Sequence, residues 1–123
     1  MKKTFKLSFG VIKILYPNLA EVIVNEGIIM NEIMVDEYHD FLLTNLETPF
    51  NLIINKQNSY SYTYGAQKSI ADLKEINAMA VVVATSGSLL STETLMGVNE
   101  HKKWNLKIFR TREEALEWLL NLN

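Results

Sequence analysis

Hydrophobic positions along the chain change period several times, and each change marks an element. Phe5, Leu7, Phe9 and Val11 alternate with Lys6, Ser8 and Gly10, a period of two that predicts a strand with one buried face. Gly10 marks a bend or bulge. Val11–Leu15 extends the apolar stretch, Tyr16-Pro17-Asn18 reads as a turn, and Leu19–Val24 reads as another strand. Residues 4–24 are therefore a β-hairpin or short meander. Asn31 is placed to cap a helix running to about Asn45, with Ile33, Met34, Tyr38, Phe41, Leu42 and Asn45 on one face and Glu32, Asp36, Glu37 and Asp40 on the wet one.

The next segments repeat one theme. Phe50–Asn55 is a strand, and the polar, aromatic run 56–64 reads as a loop. A helix is expected from about Gly65 to Ile76, with Ala66, Ile70, Leu73 and Ile76 as its apolar stripe. Ala80-Val81-Val82-Val83-Ala84-Thr85 carries no charge and is rich in small and β-branched residues, the composition of a strand buried on both faces. Ser86-Gly87-Ser88 turns into a helix through about Glu100 that buries Leu89, Leu90, Leu95 and Met96; its many Ser, Thr and Gly residues are poor helix formers. Strand 106–109 leads to a last helix opened by the capping-box pattern Thr111-Arg112-Glu113-Glu114, with Ala115, Leu116, Trp118, Leu119 and Leu122 facing the sheet. Strand centres near Val22, Ile53, Val82 and Ile108 lie 31, 29 and 26 residues apart, each gap holding one helix, as βαβ units require. The expected fold is α/β: one domain over 1–123, with a mixed sheet of about five strands, an antiparallel hairpin first and parallel βα units after it, and four helices.

Composition narrows the class. Hydrophobic residues make up 48% of the 123, enough for a core, and the net charge is −2 with both signs interspersed, so neither nucleic acid nor an anionic membrane is called for. Lys2, Lys3 and Lys6 read as solvated residues of an edge strand. The absence of cysteine excludes disulfides, thiol catalysis and sulfur-based zinc sites. The first residues lack the apolar core of a signal peptide, and no run approaches the roughly 20 residues of a membrane span. The expectation is a cytoplasmic protein without cofactor or metal.

The ending Ile108-Phe109-Arg110-Thr111-Arg112-Glu113-Glu114-Ala115-Leu116-Glu117-Trp118-Leu119 resembles the last strand and helix of the SpoIIAA-like branch of STAS domains, the family of anti-sigma-factor antagonists. The segment Leu52–Tyr62 is similar to a short-chain bacterial subgroup of that branch, and the layout of opening hairpin, three αβ units and final helix covers nearly the whole chain. The resemblance implies a regulatory or protein-interaction module and not an enzyme. In the antagonists an Asp-Ser-Ser/Thr-Gly run at a helix start holds the phosphorylated Ser and binds a kinase. The matching place here is Tyr62-Thr63-Tyr64-Gly65, with Thr63 in the Ser position and Tyr62 in place of Asp. A second branch of similar domains is linked by fold to lipid-binding proteins, which implies a hydrophobic ligand as the alternative.

Three places carry candidate chemistry. Tyr60, Tyr62 and Tyr64 are spaced by two, so an extended loop points all three rings one way and makes, with Thr63 and Gly65, a partner-binding surface; the plainer reading is that the rings cover the sheet end and that Thr63 is an N-cap. Asn55 and Ser86-Gly87-Ser88 stand at C-terminal strand ends, where open α/β sheets bind ligands, although Ser-Gly-Ser is equally an ordinary turn. His39 and His101 lack metal spacing and read as surface histidines. No strand ends on the Asp that a receiver domain phosphorylates. A protein partner is expected, and edge strands and tyrosines in need of cover point to a homodimer.

Overall fold

The computed structural model describes residues 3–99 and 105–122. Lys2, Glu100 and His101, to which expectations attach, lie outside the described residues. The opening segment is a meander of three strands, β1 (Lys3–Leu7), β2 (Gly10–Tyr16) and β3 (Leu19–Val24), each pair antiparallel. β4 (Ile29–Met30) leads into α1 (Glu32–Asn45), whose N-cap is Asn31: its Oδ1 accepts from the Met34 amide at 2.9 Å. β5 (Phe50–Lys56), β6 (Ser61–Tyr62), α2 (Tyr64–Ser69), β7 (Ile76–Val83), α3 (Ser86–Val98), β8 (Leu106–Phe109) and α4 (Arg112–Leu120) follow. The main sheet has six strands in the order β1-β2-β3-β5-β7-β8, with β3, β5, β7 and β8 parallel. β4 and β6 pair as a separate two-stranded parallel sheet.

The sheet is covered on both faces. Phe9, Ile12, Val22, Val24, Phe50 and Leu52 face Val35, Tyr38 and Leu42 of α1 and Ala66 of α2. On the other face Leu15, Leu19, Ile53, Ala78, Ala80 and Val82 meet Ala115 and Leu119 of α4. Ala78–Val83 is buried throughout, so the uncharged run is a strand enclosed on both sides as far as Val83; Ala84 and Thr85, expected in the same strand, lie beyond it and are exposed, because Thr85 turns out to cap α3. Each large aliphatic side chain buried there contributes about 1.5–3 kcal/mol.

Several expectations shift. The sheet has six strands rather than about five, because both halves of the opening apolar stretch pair. α2 ends at Ser69, not near Ile76: the chain turns there, with the Asp72 amide donating to the Ser69 carbonyl at 3.0 Å, and Ile76 already opens β7. Ile33 is 80% exposed, and Val35 takes its place under α1. α3 buries Leu95 and Thr92, whereas Leu90 and Met96 are exposed. It forms despite its composition because Thr85 and Ser88 make a full capping box. At α4 the Thr111 hydroxyl accepts from the Glu114 amide at 3.2 Å as expected, but it also donates to the Glu114 carboxylate at 2.9 Å, so the return bond goes to the hydroxyl and not to the backbone.

Gly10 is a point of close approach between strands. A Cβ there would lie 2.1 Å from the Ile23 carbonyl oxygen. Gly10→Ala must push β2 away from β3, at a cost of about 2 kcal/mol or more. Urea unfolding of the variant is expected to show that loss; an unchanged midpoint would contradict the close approach.

A buried lysine in an apolar pocket

The site follows from the pleat of β5. Side chains of a strand alternate between faces, so Phe50, Leu52, Ile54 and Lys56 share the face that meets α1 and α2, while Ile53 turns to α4. Lys56 ends the strand within that face, paired in register with Val83 of β7. The residue is 3% exposed, and Nζ has no hydrogen-bond partner among the described residues.

Beyond Lys56 the loop is drawn back over the sheet by pairing of β6 with β4, where Ser61 matches Ile29 and Tyr62 matches Met30. That turns Tyr60 and Tyr62 inward against the core. Their ring centroids are 5.5 Å apart, edge to face, and the Tyr62 hydroxyl donates to that of Tyr60 at 3.3 Å. Lys56 Nζ lies 5.4 Å from each ring centroid, within reach of a cation–π contact. Lys56 and both rings line a partly open cavity of about 40 Å³, walled otherwise mainly by apolar side chains of β3, β5, β7, α1 and α3. In a cavity so measured a water needs about 10–15 Å³, so there is room for a few waters or one small molecule.

Burial sets the protonation states. It lowers the Lys56 ammonium from 10.5 to about 8. It pushes Tyr62 up to about 12, against a smaller opposite effect of the Tyr60 hydrogen bond. Tyr60 and Tyr38 are also raised, first by burial and then by the neighbouring tyrosines. All three phenols therefore stay protonated at neutral pH and can donate.

The expected site residues are distributed differently. The three tyrosines do not point one way: Tyr60 and Tyr62 face the cavity, whereas Tyr64 opens α2 and is 67% exposed, with Lys68 Nζ 5.0 Å from its ring. The reason is that 60–64 is not one extended stretch; it passes from strand to helix at Thr63. Thr63 is the N-cap of α2, accepting from the Ala66 amide at 3.2 Å and donating to Glu32 Oε1 at 3.3 Å. Gly65 sits so close to Glu32 that a Cβ would lie 2.6 Å from its carboxylate. Asn55 faces away from the cavity and donates to Glu21 Oε2 at 2.9 Å; Arg112 Nε donates to the same buried carboxylate at 2.8 Å. Ser88 is spent in the α3 cap, and Ser86 and Gly87 are exposed beside it; none of Asn55, Ser86, Gly87 and Ser88 lines the cavity. His39 is half-buried rather than free on the surface, its Nε2 donating to the Ile70 carbonyl at 2.9 Å. Lys56, Tyr38 and Thr92 were not candidates from the sequence, yet all three line the cavity.

Fold and site together define an α/β protein with an apolar pocket and one buried amine in its wall. No protein-family model matches the chain, and comparison with curated proteins and solved structures found no match.

An amine without a partner in such a place costs stability. Between pH 8 and 10 the unfolded chain holds the lysine proton and the folded chain has lost it, so stability rises with pH across that window and the cost is greatest below it. Lys56→Met is expected to stabilise the fold at neutral pH by up to about 3 kcal/mol and to flatten the rise. Urea unfolding at a series of pH values measures both; a variant less stable than wild type would contradict the unpaired burial.

Proposed function

We propose that this chain is a non-enzymatic, STAS-like binding module that holds a small, largely apolar molecule between its sheet, helices α1 and α3, and the turn that follows α2. The carrying observation is the pocket itself, whose wall is apolar apart from Lys56, Thr92 and the phenols of Tyr38, Tyr60 and Tyr62. Ligand sites are typically built so, with a few convergent polar groups in an apolar cavity. The STAS-like layout is supported by the antiparallel opening, the parallel strands that follow and the four helices. The non-enzymatic part is supported by the hydroxyls of Thr63, Thr85 and Ser88, all engaged in helix caps.

A second reading, contact with a protein partner through the 58–65 loop, is favoured by one observation. Tyr64 is exposed, and so is Ile33, the neighbour of the Glu32 that touches Thr63 and Gly65. The two readings connect, because the loop that presents Tyr64 outside supplies Tyr60 and Tyr62 to the pocket.

Titration with 1-butanol and 1-hexanol, followed by methyl NMR, tests the pocket. Shifts are expected at Val22, Val24, Ile54, Val81 and Leu95, all of which line it. Ala71→Met, which fills the cavity from its wall, is expected to abolish them. Shifts scattered over the surface, or unchanged in the variant, would overturn the reading.

A further inference from the structure

We propose that the pocket selects a small aliphatic carboxylate, with Lys56 as its counter-ion and the Tyr60–Tyr62 pair as a hydroxyl donor to it. This rests on the pocket-binding reading above and specifies the chemistry of the ligand.

Three observations converge. Lys56 Nζ is buried, lines the cavity and has no hydrogen-bond partner among the described residues, so its donors are unspent there. The lining holds no acidic side chain among the described residues, so the missing acceptor has to come from outside the wall. Tyr60 and Tyr62 share a single hydrogen bond, which leaves one of their two phenolic protons to give. A carboxylate entering with its tail along the apolar wall offers two acceptor oxygens, one for the ammonium and one for that phenol. A phosphate monoester suits the site poorly: it brings up to two charges and more oxygens, against one cation and no helix N-terminus or arginine among the described residues of the lining. A neutral ligand could accept a hydrogen bond but would leave the buried ammonium without a counter-charge. The cavity of about 40 Å³ limits the part of the tail it encloses to a short chain.

Affinity then depends on pH. Tyr38 of α1, Tyr60 of the loop and Tyr62 of β6 are the titratable groups that line the cavity with Lys56; β3, β4, β7, β8, α3 and the turn after α2 present uncharged side chains among the described residues. The phenols stay protonated across the neutral range, so Lys56 governs the response. Above about 8 the free protein must take up a proton to bind the anion, and affinity falls with rising pH.

The test compares butanoate and hexanoate with 1-butanol and 1-hexanol, titrated into wild type and Lys56→Met and followed by methyl NMR at neutral pH and about two units higher. In wild type each acid is expected to bind roughly tenfold or more tightly than its alcohol. That preference is expected to shrink at the higher pH and to reverse in Lys56→Met, which still takes the alcohol. Acid and alcohol binding the pocket equally in wild type would overturn the carboxylate and leave the pocket standing. If neither shifted the pocket methyls, both readings would fall.

Discussion

The pleat of β5 is the constraint on which the rest depends. The strand is held on both sides, by β3 and by β7, in parallel registers that match Ile54 to Val22 and to Val81. A slip of one residue would exchange its two faces. It would drive Asn55 into the aliphatic core and pull Leu52 and Ile54 out of it, so the register cannot move to relieve Lys56. The amine is therefore carried inward by the same alternation that buries Phe50 and Leu52. On the opposite face the next polar residue, Asn55, finds Glu21, which is itself held by Arg112 at the start of α4. One end of one strand thus presents two polar residues to two faces, one satisfied and one not. An unsatisfied polar group inside a natural core calls for an explanation in terms of strain, chemistry or a missing partner.

The tyrosine loop acquires its role from this arrangement. A pair of residues in β4 and a pair in β6 suffice to fold the chain back over the strand end. The two inward rings shield the amine on their faces, and the outward ring of Tyr64 lies just past the cap at Thr63. The rings of Tyr60 and Tyr62 line the cavity, and the exposed Tyr64 follows them in the same segment.

Much of the architecture was legible from the residues. Asn31 marks the start of α1 because an Asx side chain there meets the third amide of the helix. Strand 106–109 and the helix after it carry clear signals, alternation followed by Thr-x-x-Glu, and both stand where expected. The parallel order follows from the regular spacing of the β-rich runs, with one helix in each gap. Other features leave weaker traces. β4 and β6 are two residues each, too short for any periodicity to register. Leu73 and Ile76 fit a helical stripe with Ala66 and Ile70 and do reach the same core, but through a turn and a strand start. Lys56 was hidden because a charged residue next to Gln and Asn reads as the beginning of a loop, although the every-second-residue rhythm from Phe50 already included it. Tyr60 and Tyr62 were read with Tyr64 as one set of rings pointing the same way; their actual direction depends on the β4–β6 contact, which joins segments about 30 residues apart.

The central claim is that the Lys56 amine lies inside, without a partner, in the free protein. Its titration can be followed at the Cε carbon by NMR with selectively labelled lysine, assigned by comparison with Lys56→Met. The account predicts a midpoint of about 8 in the absence of ligand. A midpoint near the ordinary lysine value of 10.5 would contradict it, because it would place the ammonium in water.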